Sequence, residues 1–270
     1  MNVPRISAFA RLANGNVTPT RVITGQATLQ ARTTHDIGVD PIHDEIVVPN
    51  PFAQAILFFR GAAEGEEKPI RIIQGPKTML GYTDVLDVDP VHGEIFVPQF
   101  RTDSILVFSR EPGGDVAPIR IIKGPKTKLD RPGRASVDPI NNLLAISTMK
   151  GVWIFDRTAD GDTPPRYILA GPRSGVGGEN EAHGKVLLYP QGKKIFYAGG
   201  AGHSKGGARG GFIGVWNYGD QGDVLPWAIL RSNATTKLGA VGRMAIDPEH
   251  KELIASSSGA VQIFHLPQVF

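Results

Sequence analysis

Two twelve-residue phrases, PIRIIQGPKTML at 69–80 and PIRIIKGPKTKL at 118–129, differ at two positions and lie 49 residues apart. A repeat with a period of 20–50 residues constrains a fold more than any composition, because each copy must be one small unit that buries its apolar face against its neighbours. The phrase belongs to a longer unit. Each copy has a landmark turn, at Asp40-Pro41, Asp89-Pro90, Asp138-Pro139 and Asp247-Pro248, with Tyr189-Pro190 in the fourth copy; the spacings are 49, 49, 51 and 58. Five residues after each landmark comes EIVV, EIFV, LLAI, KIFY or ELIA, and then AILFFR, SILVFSR, GVWIFDR, FIGVWNY or VQIFHL. The unit closes on PTRVITG, PIRIIQG, PIRIIKG, PRYILAG or PWAILRS.

Each unit therefore reads as four short strands of β-branched and aromatic residues, separated by Asp-Pro and Gly/Asp turns. Most of these strands are apolar on both faces, as in ILVF at 105–108, which suits sheets stacked face to face. No stretch of ten or more residues has helical spacing. The high glycine (33) and proline (21) content fits a chain of turns and short strands. The sequence predicts an all-β fold, a β-propeller of four-stranded blades built as a single domain over residues 1–270. The chain opens on RISAFAR and PTRVITG, which match third and fourth strands, and it ends after a third strand. The reading is five blades with one surplus strand, closed by N- and C-terminal strands sharing one blade; six blades, one incomplete, is the alternative count.

The run ILVFSREPGGDVAPIRIIKGPKTKL, followed by VDP and preceded in the same copy by EIFVP, resembles the NHL-type repeat of bacterial propeller proteins over nearly the whole chain. That resemblance implies the propeller architecture. It does not choose a function, since the family's fold hosts scaffolds, protein and RNA binders, lyases and lactone hydrolases, and activity has to be argued from a site.

Several function classes fall away on composition. No apolar run reaches the length of a spanning helix. The absence of cysteine removes disulfides and thiolate metal sites. MNVPRISAFARLANGN has no basic segment followed by an apolar core, so the sequence reads as cytoplasmic, or as secreted with its leader removed. A net charge of +3 is too small to argue for nucleic acid by itself.

Within a repeat, residues that recur do the blade's structural work, and residues that break the pattern are candidates for function. In a propeller the fourth-to-first and second-to-third connections share one face, the top. His35, His183 and His203 belong there: the first two stand just before first strands, and the third lies in GGAGHSKGGARGG, a connection about ten residues longer than its counterparts. Three imidazoles from separate loops are a ligand set for a divalent transition metal, or a proton relay. Asp84 aligns with His35, where the other copies have glycine, and joins the histidines as a catalytic candidate. Asp87 puts a carboxylate in a strand where the other copies have Gly38, Ser136, Leu187 and Ala245. Asp36 is matched by Arg134, Lys185 and Arg243, which would give the mouth of the channel mixed charge; Asn50, Gln99 and Arg101 would form an outer wall for a ligand.

Three functions follow. The first is a binding scaffold whose top loops hold a small ligand, a glycan or a protein. The second is an enzyme, a lactonase-like hydrolase or a lyase, using the histidines with Asp84. The third is RNA or polyanion binding through Lys205 and Arg209, limited by an aromatic content of 7%.

Overall fold

A computed structural model describes the chain except for residues 1–3, 33, 83, 178–183, 200–210, 234–237, 240 and 258. It is all β, with three single-turn 3-10 helices among the described residues and no helix among them long and apolar enough to cross a membrane. Five antiparallel sheets follow one another along the chain as the blades of a five-bladed β-propeller. They are β3–β6 (Gly38–Asp40, Glu45–Asn50, Ala55–Arg60, Arg71–Gln74) and β7–β10 (Asp87–Asp89, Glu94–Gln99, Ser104–Ser109, Arg120–Lys123). Next come β11–β14 (Ala135–Asp138, Leu143–Thr148, Gly151–Asp156, Tyr167–Leu169) and β15–β18 (Lys185–Tyr189, Lys194–Gly199, Phe212–Asn217, Ala228–Arg231). The last holds three strands, β19–β21 (Val241–Asp247, Glu252–Ser257, Ala260–His265).

The end of the pattern differs from the sequence reading. Strands β1 (Arg5–Ala8) and β2 (Arg21–Thr24) form a two-stranded sheet of their own, so the expectation that terminal strands share one blade is corrected here. Their register, Ile6 opposite Ile23 and Ala8 opposite Arg21, repeats that of a third and fourth strand, Ile56 opposite Ile73 and Phe58 opposite Arg71. The loop joining β1 to β2 is about a dozen residues long, and closing so short a loop costs little entropy.

By contact the chain divides into two compact units, residues 1–95 with 107–119, and residues 96–106 with 120–270. In the first, Ile46, Val48, Leu57 and Phe59 of the β3–β6 blade are buried together with Ile23 of β2. In the second, the β11–β14 and β15–β18 blades bury Val152, Ile154, Val186, Ile195, Tyr197 and Trp216 against one another. Burying each such side chain contributes roughly 1.5–3 kcal/mol.

The repeated phrase Gly-Pro-Lys-Thr is explained by what each residue does. In the first unit Gly75 has φ 138°, Pro76 opens a 3-10 turn, and the Thr78 hydroxyl donates to the Gly75 carbonyl at 2.6 Å. The Lys77 N–H donates to Asp115 Oδ1 at 2.7 Å, across to the Gly/Asp connection of the following copy. The second unit repeats the arrangement with Lys126 on Asp162 and Arg173 on Asp223, each at 2.7 Å. Beside each latch the fourth strand forms a parallel bridge to a glycine of the next copy, Ile73 to Gly114 and Ile122 to Gly161.

The Asp-Pro landmark is a closed turn. Asp40 Oδ1 accepts the N–H groups of Ile42 and His43 at 3.0 and 2.9 Å, and Oδ2 meets His43 Nδ1 at 2.8 Å. Asp89 with His92 and Asp247 with His250 repeat the imidazole contact at 2.8 Å. Beneath the first of these turns, Glu45 pairs with Arg71 and with Arg110, both at 2.9 Å, while Arg71 lies 3.9 Å over the Phe58 ring. The recurrent histidines and arginines are thus structural.

Candidate functional site

At the strand ends opposite the Asp-Pro turns, the first unit gathers residues that break the repeat. The connection from β2 to β3 passes Thr34, whose hydroxyl donates to the Pro49 carbonyl at 3.0 Å and so ties this connection to the end of β4. One residue on, the His35 N–H donates to the Asp84 carbonyl at 3.3 Å, and His35 Nδ1 meets Asp84 Oδ2 in a very short contact. Backbone and side chain together fix the imidazole against the carboxylate. The His35 side chain is nevertheless 60% exposed and that of Asp84 25%. Its second oxygen, Oδ1, has no hydrogen-bond partner among the described residues.

The neighbouring turn is built by Asn50. Its carboxamide oxygen accepts the Ala53 N–H at 3.1 Å and its amide donates to the Leu29 carbonyl at 2.6 Å. Gln74 adds a donor to the Ala53 carbonyl at 2.8 Å. An Asx-type closure of this kind leaves the residue at its tip projecting. That residue is Phe52, 68% exposed. Its ring meets Tyr82 edge to face, centroids 5.9 Å apart at 79°. Tyr82 stands two residues before Asp84, and Thr34, the residue before His35, is bonded to the Pro49 carbonyl, three residues before Phe52. The ring is thus largely in water, with its edge contact to Tyr82 on one side.

The second unit has a related pairing: Arg131 lies 5.8 Å over the Phe100 ring, its N–H donating to Asp103 at 2.7 Å.

Of the residues singled out from sequence, His35 and Asp84 are brought together. Asn50 lies beside them, with its amide engaged in the turn rather than offered to a ligand. Asp36 is 95% buried and accepts the Ile37 N–H at 3.0 Å; Asp87 opens β7 and is partly exposed. Gln99 is buried at the end of β8, and Arg101 is exposed just beyond it. Arg134 is buried, its N–H donating to Ser147 Oγ at 2.9 Å, and the Arg243 N–H meets Ser256 Oγ at 2.8 Å in the equivalent way. Lys185 opens β15. His183 and His203, with Lys205 and Arg209, lie outside the described residues. Among the described residues no group of three His, Asp or Glu side chains is placed to hold a metal ion.

Sequence reasoning missed Phe52 and Tyr82. Each was legible as an aromatic residue in a connection between strands, but alignment against the other copies drew attention to charge alone.

The arrangement of sheets is matched by a solved structure, the β-propeller domain of Cps50 (Swd1) from Myceliophteria thermophila, with a TM-score of 0.58 at 10% identity. The chain is a β-propeller. The match covers 86% of this chain and 65% of that one, so the chain spans just under two thirds of the neighbour's length. At this identity the likeness concerns fold alone. No family model and no curated protein matches the chain.

Proposed function

We propose that this protein is an NHL-type propeller that acts as a binding module, holding a small polar ligand on the connections around His35, Phe52, Tyr82 and Asp84. The observation that carries this reading is Phe52: a ring fixed at the tip of an amide-closed turn, exposed, and set beside an imidazole–carboxylate pair. Loops displayed by a rigid sheet are the usual place for recognition, and preorganisation limits the entropy lost on binding. An aromatic face supplies dispersion and the carboxylate supplies orientation.

The test is a thermal-shift screen of the intact chain against mixed small molecules: sugars, carboxylates, amines and nucleotides. Any compound that raises the melting temperature is then applied to Phe52→Ala. The reading expects at least one hit that is lost in the variant. Hits that persist unchanged, or an absence of hits in every class, would overturn it.

One observation favours a second reading. A carboxylate on Nδ1 holds an imidazole in the orientation a general base requires, so the His35–Asp84 pair also suits hydrolysis of a carbonyl substrate. Turnover of lactones or esters that His35→Ala abolishes would establish it; equal background rates in both proteins would remove it.

A further inference from the structure

The chemistry of these four side chains narrows the ligand class further, on the footing of the binding reading above. We infer that the ligand is a carbohydrate: a pyranose ring lies with its C–H face on Phe52 while a neighbouring hydroxyl donates to Asp84 Oδ1.

Two requirements must be met together. Phe52 offers an exposed ring, and its contact with Tyr82 is edge to face, so the pair forms a corner rather than a closed slot. Among the described residues one Asp84 carboxylate oxygen has no hydrogen-bond partner, while the other is engaged by His35 Nδ1. A wholly apolar ligand would cover the ring but strip water from that oxygen and give nothing back. A small ammonium ligand would pair with the carboxylate but cover little of the ring. A free carboxylate or phosphate would face Asp84 with like charge. A sugar meets both conditions. It is neutral, its axial C–H bonds form an apolar patch the size of one aromatic ring, and its hydroxyls donate charge-assisted hydrogen bonds to a carboxylate. The Asn50 closure, the Gln74–Ala53 bond and the Thr34–Pro49 bond fix both elements before any ligand arrives.

The probes are the methyl glycosides of glucose, galactose, mannose and N-acetylglucosamine, observed by saturation-transfer NMR on the intact chain. At least one is expected to show transfer concentrated on the C–H protons of one ring face. Phe52→Ala should weaken that glycoside at least tenfold. Phe52→Trp should keep or strengthen it, and Asp84→Asn should weaken it severalfold while leaving the circular dichroism spectrum unchanged. Transfer to none of the glycosides at millimolar concentration, or transfer that Phe52→Ala leaves intact, would overturn the assignment. The two readings fail separately. A thermal-shift hit from another chemical class that depends on Phe52 would remove the sugar and keep the site; a peptide or protein that binds through Phe52, with no glycoside doing so, would also remove the sugar. No Phe52-dependent ligand of any class would remove both.

Discussion

Gly75 shows how one residue type becomes obligatory at one place. With φ at 138°, a side chain there is strained, and a Cβ would lie 2.4 Å from Asp115 Oδ1, the oxygen that receives the Lys77 N–H. Tyr218 is a second residue with a single job. Its hydroxyl donates to the fully buried Asp138 at 2.7 Å, and burial, reinforced by that carboxylate, pushes the phenol well above its ordinary range. A folded-state value above the unfolded one means that the bond stabilises fully below about pH 10, the unfolded tyrosine's range, and that its contribution is lost as the pH rises beyond it. Tyr218→Phe should therefore cost about 1.5–3 kcal/mol at pH 8. The gap between the two proteins should narrow at pH 11. Urea midpoints at both pH values measure it; a gap of constant size would contradict the assignment.

At the scale of an element, the fourth strand and its 3-10 turn form the joint between successive copies. Lys77, Lys126 and Arg173 each give a backbone N–H to an aspartate of the next copy, and each joint has a glycine at its start. A hydrogen bond to a charged group contributes about 1.5–3 kcal/mol, so Asp115→Ala should lower stability by that order. It should also speed amide hydrogen exchange at Lys77 while leaving Lys126, whose acceptor is Asp162, unchanged. Equal exchange at Lys77 in both proteins would show that the latch does not hold the turn. This is also where sequence reading succeeded in physical terms. The phrase recurs because each of its residues meets a local geometric demand, and local demands leave the same letters wherever they apply. The Asp-Pro-x-His turns were legible for the same reason.

Across the whole molecule, the period of about 50 predicted the strand order and five blades. It did not predict the end of the pattern. β1 takes the third-strand place beside β2, and β21 pairs with β20. In β21, Val261 and Ile263 are 65% and 44% exposed, where the matching Val152 and Ile154 of β13 are fully buried; their letters alone do not tell these environments apart. The candidate site was half legible. His35 and Asp84 stood out because they replace glycine, whereas Phe52 is revealed only by the turn that Asn50 closes, which is a matter of geometry. The proposed division, residues that repeat for stability and residues that depart for binding, can be measured without knowing the ligand. The melting temperatures of Gly75→Ala and Phe52→Ala, taken side by side, test it most directly. Backbone strain and the displaced latch should cost Gly75→Ala about 2–4 kcal/mol, several degrees or more in a chain of this size. Phe52→Ala, losing only an exposed ring and its edge contact, should stay within about 1 kcal/mol of the parent. A Phe52→Ala protein that melts as low as Gly75→Ala would make Phe52 a packing residue and contradict the central claim.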